Sequence, residues 1–245
     1  MKRQQNKKQQ RQNMTLTGHL RELRNRLIIC FVCLIICFLV GLNYAPKLVE
    51  LLTDIGKVYG YSYVFIAPQE LLMQYFSIAL LVGICMASPL MLYHIWAFVQ
   101  PGLRKNEKIL FLTAIFFGLI CFAAGIFFAY KIILPFMLHF LIGISLGSEI
   151  TASISVQNYI TFLLTIFMIF GIIFELPVIS VLLTQMGLLK IQWMKRGRRV
   201  VIIVIFVVAA LITPPDIVSQ IMVAIPMIGL YEASVIICAV LMKFR

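Results

Sequence analysis

The chain has 245 residues, 62% of them hydrophobic and only 12% charged, with a net charge of +12. Long apolar runs with so few charges exclude an ordinary soluble domain, whose helices would show amphipathic stripes, and predict transmembrane helices in one polytopic bundle. The basic excess does not point to nucleic acid, because lysines and arginines flank the apolar runs, where such residues set membrane topology.

Residues 1–13, rich in Lys, Arg and Gln, are expected to form a disordered basic extension, with 14–245 as a single membrane domain. The first apolar run begins only near Leu27 and lacks a small-residue cleavage site, so the N-terminus does not read as a cleavable signal. Met14 is an alternative start. Six spans are predicted: 27–44, 71–99, 109–134, 156–186, 200–212 and 217–242. Pro89 is expected to kink the second, Pro135 to end the third and Pro177 to break the fourth, while Pro226 lies inside the sixth. The fifth is too short for a ~30 Å hydrocarbon core. It implies a thinned bilayer, shielding by other helices, or an extension at its start by Arg198 and Arg199, which can snorkel.

Eighteen Lys and Arg residues fall on the side of the two termini, against Lys47, Lys57 and Lys131 on the other. The positive-inside rule then places both termini in the cytoplasm. The exterior segments 43–69 and 135–157 are expected to fold as short interfacial helices, and 213–216 as a tight turn. No internal repeat is visible, which weakens an inverted-repeat transporter. The six cysteines all lie in apolar runs. Cys30, Cys33 and Cys37 can share a helix face, but no His or carboxylate accompanies them, so they read as small hydrophobes rather than metal ligands.

Five polar constellations stand out. Glu175 is the lone charge between Glu149 and Lys190, and an ionisable group at membrane depth faces a partner or a water-filled cavity. It reads as a functional carboxyl or as packing glue. Glu22 lies among Arg21, Arg24 and Arg26 on a helix edge marked by Leu20, Leu23 and Leu27. This is either an interfacial charge ladder or an acidic receptor for a basic ligand. Glu107 is the one acid of the next cytoplasmic loop, and reads as a helix-start acid or as a second carboxylate beside Glu22. Two such carboxylates suit a ligand with two adjacent arginines. Thr213 and Gln220, with Glu175, are candidate polar glue between membrane helices. Asp216 can cap the sixth helix after two prolines. Glu232 reads as a packing carboxyl or part of a polar path.

Taken together, these strings resemble the TatC family, the multispanning core of the twin-arginine protein translocase. The resemblance covers essentially all of 15–243. It rests on His19-Leu20, Glu22-Leu23-Arg24 and Arg26-Leu27; Trp96, Phe98, Pro101-Gly102-Leu103 and Glu107; Phe170-Gly171, Phe174-Glu175 and Pro177; Thr213-Pro214-Pro215-Asp216 with Ser219-Gln220; and Pro226 with Tyr231-Glu232. It implies an all-α, glove-shaped bundle of six transmembrane helices with short fifth and sixth helices, in the cell membrane. It implies that Glu22 and Glu107 bind the arginine pair of a twin-arginine signal peptide, with Arg24 and Phe98 supporting that surface. Glu175 would be the buried polar residue of the fourth span. Gln220 and Thr213 would face single-span TatA-type partners, and TatB where present. Pro68 and Asp216 would fall in exterior regions important to the family. The resemblance also implies folded precursor proteins as cargo, self-association in a receptor complex, and the protonmotive force as energy source. No phosphate-binding glycine loop is present, and no cofactor, metal or enzymatic role is expected. The rival reading is a secondary transporter of a small ion or solute with Glu175 as its coupling site.

Overall fold

In the computed structural model, residues 16–99, 105–145, 153–213 and 216–243 are described. The extension 1–13 and the turn prolines Pro214 and Pro215 lie outside them. The helices are α1 (Leu16–Val58), α2 (Glu70–Val99), α3 (Lys105–Phe128), α4 (Leu134–Ser145), α5 (Val156–Ile173), α6 (Leu176–Gln185), α7 (Ile191–Ile212) and α8 (Ile217–Lys243). A π-helical stretch, Ala129–Ile133, joins α3 to α4. Two three-residue strands, β1 (Ser62–Val64) and β2 (Ser153–Ser155), pair in parallel with Ser62 opposite Ser153.

Among the described residues, five runs are long and apolar enough to cross a membrane: Leu20–Val58, Glu70–Ile95, Lys108–Gly143, Val156–Gln185 and Ile217–Lys243. The chain is thus a multi-pass helical membrane protein. The expected fifth span belongs to α7, whose 22 residues start well before the apolar stretch and include Lys195, Arg196, Arg198 and Arg199. The expected short sixth helix is instead a continuous helix of 27 residues.

Of three expectations from proline, two are corrected and one holds. Segment 43–69 does not break into interfacial helices at Pro46, because α1 continues through it to Val58. The reason is tertiary: Ala45, Val49 and Leu52 bury one face of this half of α1, and packing holds the helix where a hydrogen bond is missing. Pro135 does not end the third span. The Leu134 N–H reaches back to the Ala129 carbonyl, one residue further than in an α-helix, and the widened turn takes in the proline. Segment 135–157 accordingly continues as α4 before β2. Pro177 behaves as expected, for α5 stops at Ile173 and α6 starts at Leu176.

The core centres on α5, which buries Tyr159, Ile160, Leu163, Ile166, Phe167 and Phe170. The α1–α2 pair is the most extensive helix contact. At Gly41 a Cβ would lie 2.8 Å from the Ala79 carbonyl oxygen, so the two backbones touch there. At the end of the bundle where α1 finishes, Tyr159 donates to the Leu52 carbonyl at 2.9 Å and Tyr61 to that of Leu138 at 3.3 Å. Burial holds the Tyr61 phenol above its ordinary pKa, which keeps it a neutral donor. The small sheet closes this cap, where the Ser155 hydroxyl donates to the buried Glu70 carboxylate at 3.0 Å.

Candidate functional site

Glu22 and Arg26 sit one turn apart on α1. Arg26 places both Nε and Nη2 on one oxygen of Glu22, at 3.0 and 2.6 Å. The same Nη2 also donates to the Ala97 carbonyl at 3.2 Å, near the end of α2. This contact brings the start of α1 to the segment that carries Phe98. The other Glu22 oxygen, Oε2, is buried and has no partner among the described residues. A carboxylate oxygen in that position is costly to leave open, and a guanidinium is the donor that fills it best. Arg24, two residues on along α1, is exposed, and Phe98 is half-buried. Glu107 falls in the first turn of α3, but its side chain lies outside the described residues, as does Pro101. Of the arginines that surround Glu22 in the sequence, Arg26 is the one that pairs with it, as its spacing of four allows.

Glu175 occupies the break between α5 and α6. The missing N–H of Pro177 leaves the end of α5 without its next rung, and Glu175 N–H turns back to Ile172 O at 3.1 Å. The side chain makes no capping bond to α6. It points into a groove of about 440 Å³ between α2, α3 and the α5–α6 break, floored by apolar residues such as Met91, Ile115 and Phe122. Glu175 is the one ionisable residue lining it among the described residues. Across the groove, a Cβ at Gly118 would stand 2.9 Å from Glu175 Oε2, so the glycine makes room for the carboxyl. Nothing in the sequence around Gly118 announces this.

Thr213 and Gln220 do not join Glu175. The Thr213 hydroxyl donates to Ala209 O at 3.0 Å, and the Gln220 amide to Phe206 O at 2.9 Å. Both are thereby engaged with α7. Asp216 Oδ2 accepts the Ser219 N–H at 2.6 Å, an N-cap for α8. Pro68 is the second residue of a turn closed by Glu70 N–H to Ala67 O at 3.1 Å, the position proline favours. Glu232 does not stand alone at depth, since Arg198 of α7 donates to it at 2.8 Å. Beside it, Tyr231 donates to Met194 O at 2.7 Å.

The fold and these sites define a polytopic helical membrane protein with one acidic groove inside the bundle and an arginine-paired carboxylate at its end. The family model for Sec-independent protein translocase protein (TatC) matches residues 18–226. A TatC protein of Desulforapulum autotrophicum is 36% identical over 90% of this chain and 82% of its own length. One from Listeria innocua is 36% identical over 92% and 91%. A crystal structure titled as the twin arginine translocase receptor TatC superposes with a TM-score of 0.81 at 34% identity, covering 91% of this chain and 98% of that one. The chain belongs to the TatC family. Its role is in protein transport, as a component of a Sec-independent translocase.

Proposed function

We propose that the chain is the signal-recognising subunit of a twin-arginine translocase, moving folded precursors across the cell membrane with TatA-type partners, and TatB where present. The observation that carries this is the open, buried Oε2 of Glu22 beside an arginine already bound through the other oxygen. An incoming arginine finds a half-filled carboxylate there, and a planar guanidinium engages it better than an ammonium does. Glu107 supplies the second carboxylate, and Arg24 and Phe98 border the surface. In this reading six segments cross, with α7 as the fifth span. Both termini are cytoplasmic in this reading, which the basic ends of α1, α7 and α8 support. Copies of the chain associate in a receptor complex, and the protonmotive force supplies the energy.

Glu175 receives a polar residue of a partner helix in its groove, while Thr213 and Gln220 hold the α7–α8 end that partners approach. The groove also supports a second reading, a small-ion transporter with Glu175 as coupling site, because one carboxyl lies alone in it. A photo-crosslinking probe at position 22, offered a precursor with a twin-arginine signal and its twin-lysine version, separates the two. Crosslinks to the arginine form alone are expected. Equal or absent crosslinks in folded protein would overturn the receptor reading, and solute uptake by proteoliposomes would then favour the transporter.

A further inference from the structure

A second charged cleft lies between α7 and α8, at the end of the bundle where α7 begins and α8 finishes. It encloses about 340 Å³, and Lys195, Arg198 and Lys243 line it together with the aliphatic side chains of Val235, Ile236 and Val240. The mixture is specific in kind: Lys195 and Arg198 come from α7 and Lys243 from the end of α8, and an apolar strip runs from them along α8. Glu232 engages one of the cations through Arg198 Nη2. Arg198 Nε remains buried without a partner among the described residues. Both lysines lie at the cleft without an ion pair among the described residues. The positive end of the α7 dipole adds to the same field.

We propose that this cleft binds one anionic phospholipid, its phosphate held by Lys195, Lys243 and the positive charge of Arg198, and an acyl chain laid along Val235, Ile236 and Val240. Charge complementarity selects the headgroup, for Glu232 offsets only one of the three cations. A basic pocket between membrane helices at the bilayer edge is the usual geometry for such headgroups. The apolar strip distinguishes a lipid from a soluble anion, which would leave that strip empty. A bound lipid would bridge the two helices beside the Arg198–Glu232 pair. It would stiffen the junction of α7, the helix whose apolar part is too short to anchor itself.

The test uses the full chain in neutral detergent, with lipid occupancy read by native mass spectrometry during titration with phosphatidylglycerol, phosphatidylcholine or inorganic phosphate. Phosphatidylglycerol should bind as a single retained adduct, and phosphatidylcholine should not. Lys195→Gln with Lys243→Gln should weaken the adduct about thirtyfold, at the usual contribution per basic residue near a membrane. Lys195→Arg with Lys243→Arg should retain it, which excludes misfolding as the cause. Arg196→Gln with Arg199→Gln removes the same charge from exposed positions of the same helix and should change binding little. Equal losses in the two glutamine pairs would reduce the site to diffuse surface charge and overturn the proposal. Inorganic phosphate that displaces the lipid at equal concentration would overturn the lipid as occupant.

Discussion

Glu22 and Glu232 each pair with an arginine, at 2.6 and 2.8 Å, and both pairs sit at the same end of the bundle. The first pair closes within one turn of α1. The second ties α7 to α8 across thirty-four residues of sequence. In the first pair the bond to Ala97 O belongs to Arg26, and the carboxylate itself makes no tertiary hydrogen bond among the described residues, so it is free to change partner without loosening the fold. A pair between helices is part of the packing, and Tyr231, bonded to Met194 O one residue away, shows that the surroundings are built for it. On the proposed reading, the difference separates a carboxylate placed for a ligand from one placed for the structure. Glu22 adds a further mark of the first kind, since one of its oxygens is buried and without a partner among the described residues.

The largest expected effect breaks or sustains that comparison directly. Glu22→Gln should weaken binding of a twin-arginine precursor about thirtyfold or more, the usual result of truncating one partner of a desolvated charge pair. Its thermal midpoint in detergent should stay with that of the parent. Binding measured by fluorescence anisotropy of a labelled signal peptide, alongside a melting curve, checks both halves. A fall in the midpoint without a specific loss of binding would make Glu22 structural, like Glu232. Gly41→Ala comes next. The added Cβ meets the Ala79 backbone carbonyl at 2.8 Å, and backbone cannot swing aside. Overpacking of this kind costs about 1–3 kcal/mol. Because α1 and α2 carry Glu22, Arg26 and Ala97, the same variant should also weaken peptide binding, unlike a destabilising change placed between α7 and α8.

Glu232→Gln should do the reverse of Glu22→Gln. Both members of its pair are partly exposed, so the loss is about 1 kcal/mol, or about 2–4 °C in the midpoint for a chain of this size. Peptide binding should not change. Melting curves of the two glutamine variants side by side decide whether the local and the bridging pair differ as proposed.

How much of this was legible in the sequence depends on the range of each interaction. The apolar runs located the helices, because burial in lipid needs only composition and length. Glu22 with Arg26, and Asp216 with the α8 N-terminus, are contacts between residues four or fewer apart, and such spacing is visible in one dimension. Arg198 with Glu232 was not visible, nor was Gly118 opposite Glu175, for each depends on how two helices are set side by side. Proline misled in two places of three. At Pro46 a buried face carried α1 onward, and at Pro135 a π-helical turn removed the clash. At Pro177 neither compensation is present and the helix broke as its chemistry requires. The parallel pair of strands was missed because three residues are too few to show a period of two.

The smallest expected effect sharpens the comparison from the other side. Lys57 and Asp54 also pair within one turn, at 2.7 Å, but both side chains are well exposed. If proximity in sequence alone made a pair dispensable to the fold, Lys57→Gln and Glu22→Gln would melt alike, and both should match the parent. They should differ only in ligand binding, because water already satisfies Asp54 whereas Glu22 Oε2 is shut away from it. Measured together, the two variants isolate burial as the property that turns a helix-surface carboxylate into a receptor. If Lys57→Gln were to impair peptide binding as strongly as Glu22→Gln, the recognition would have to spread to the opposite end of α1, and the assignment to one buried oxygen would fail.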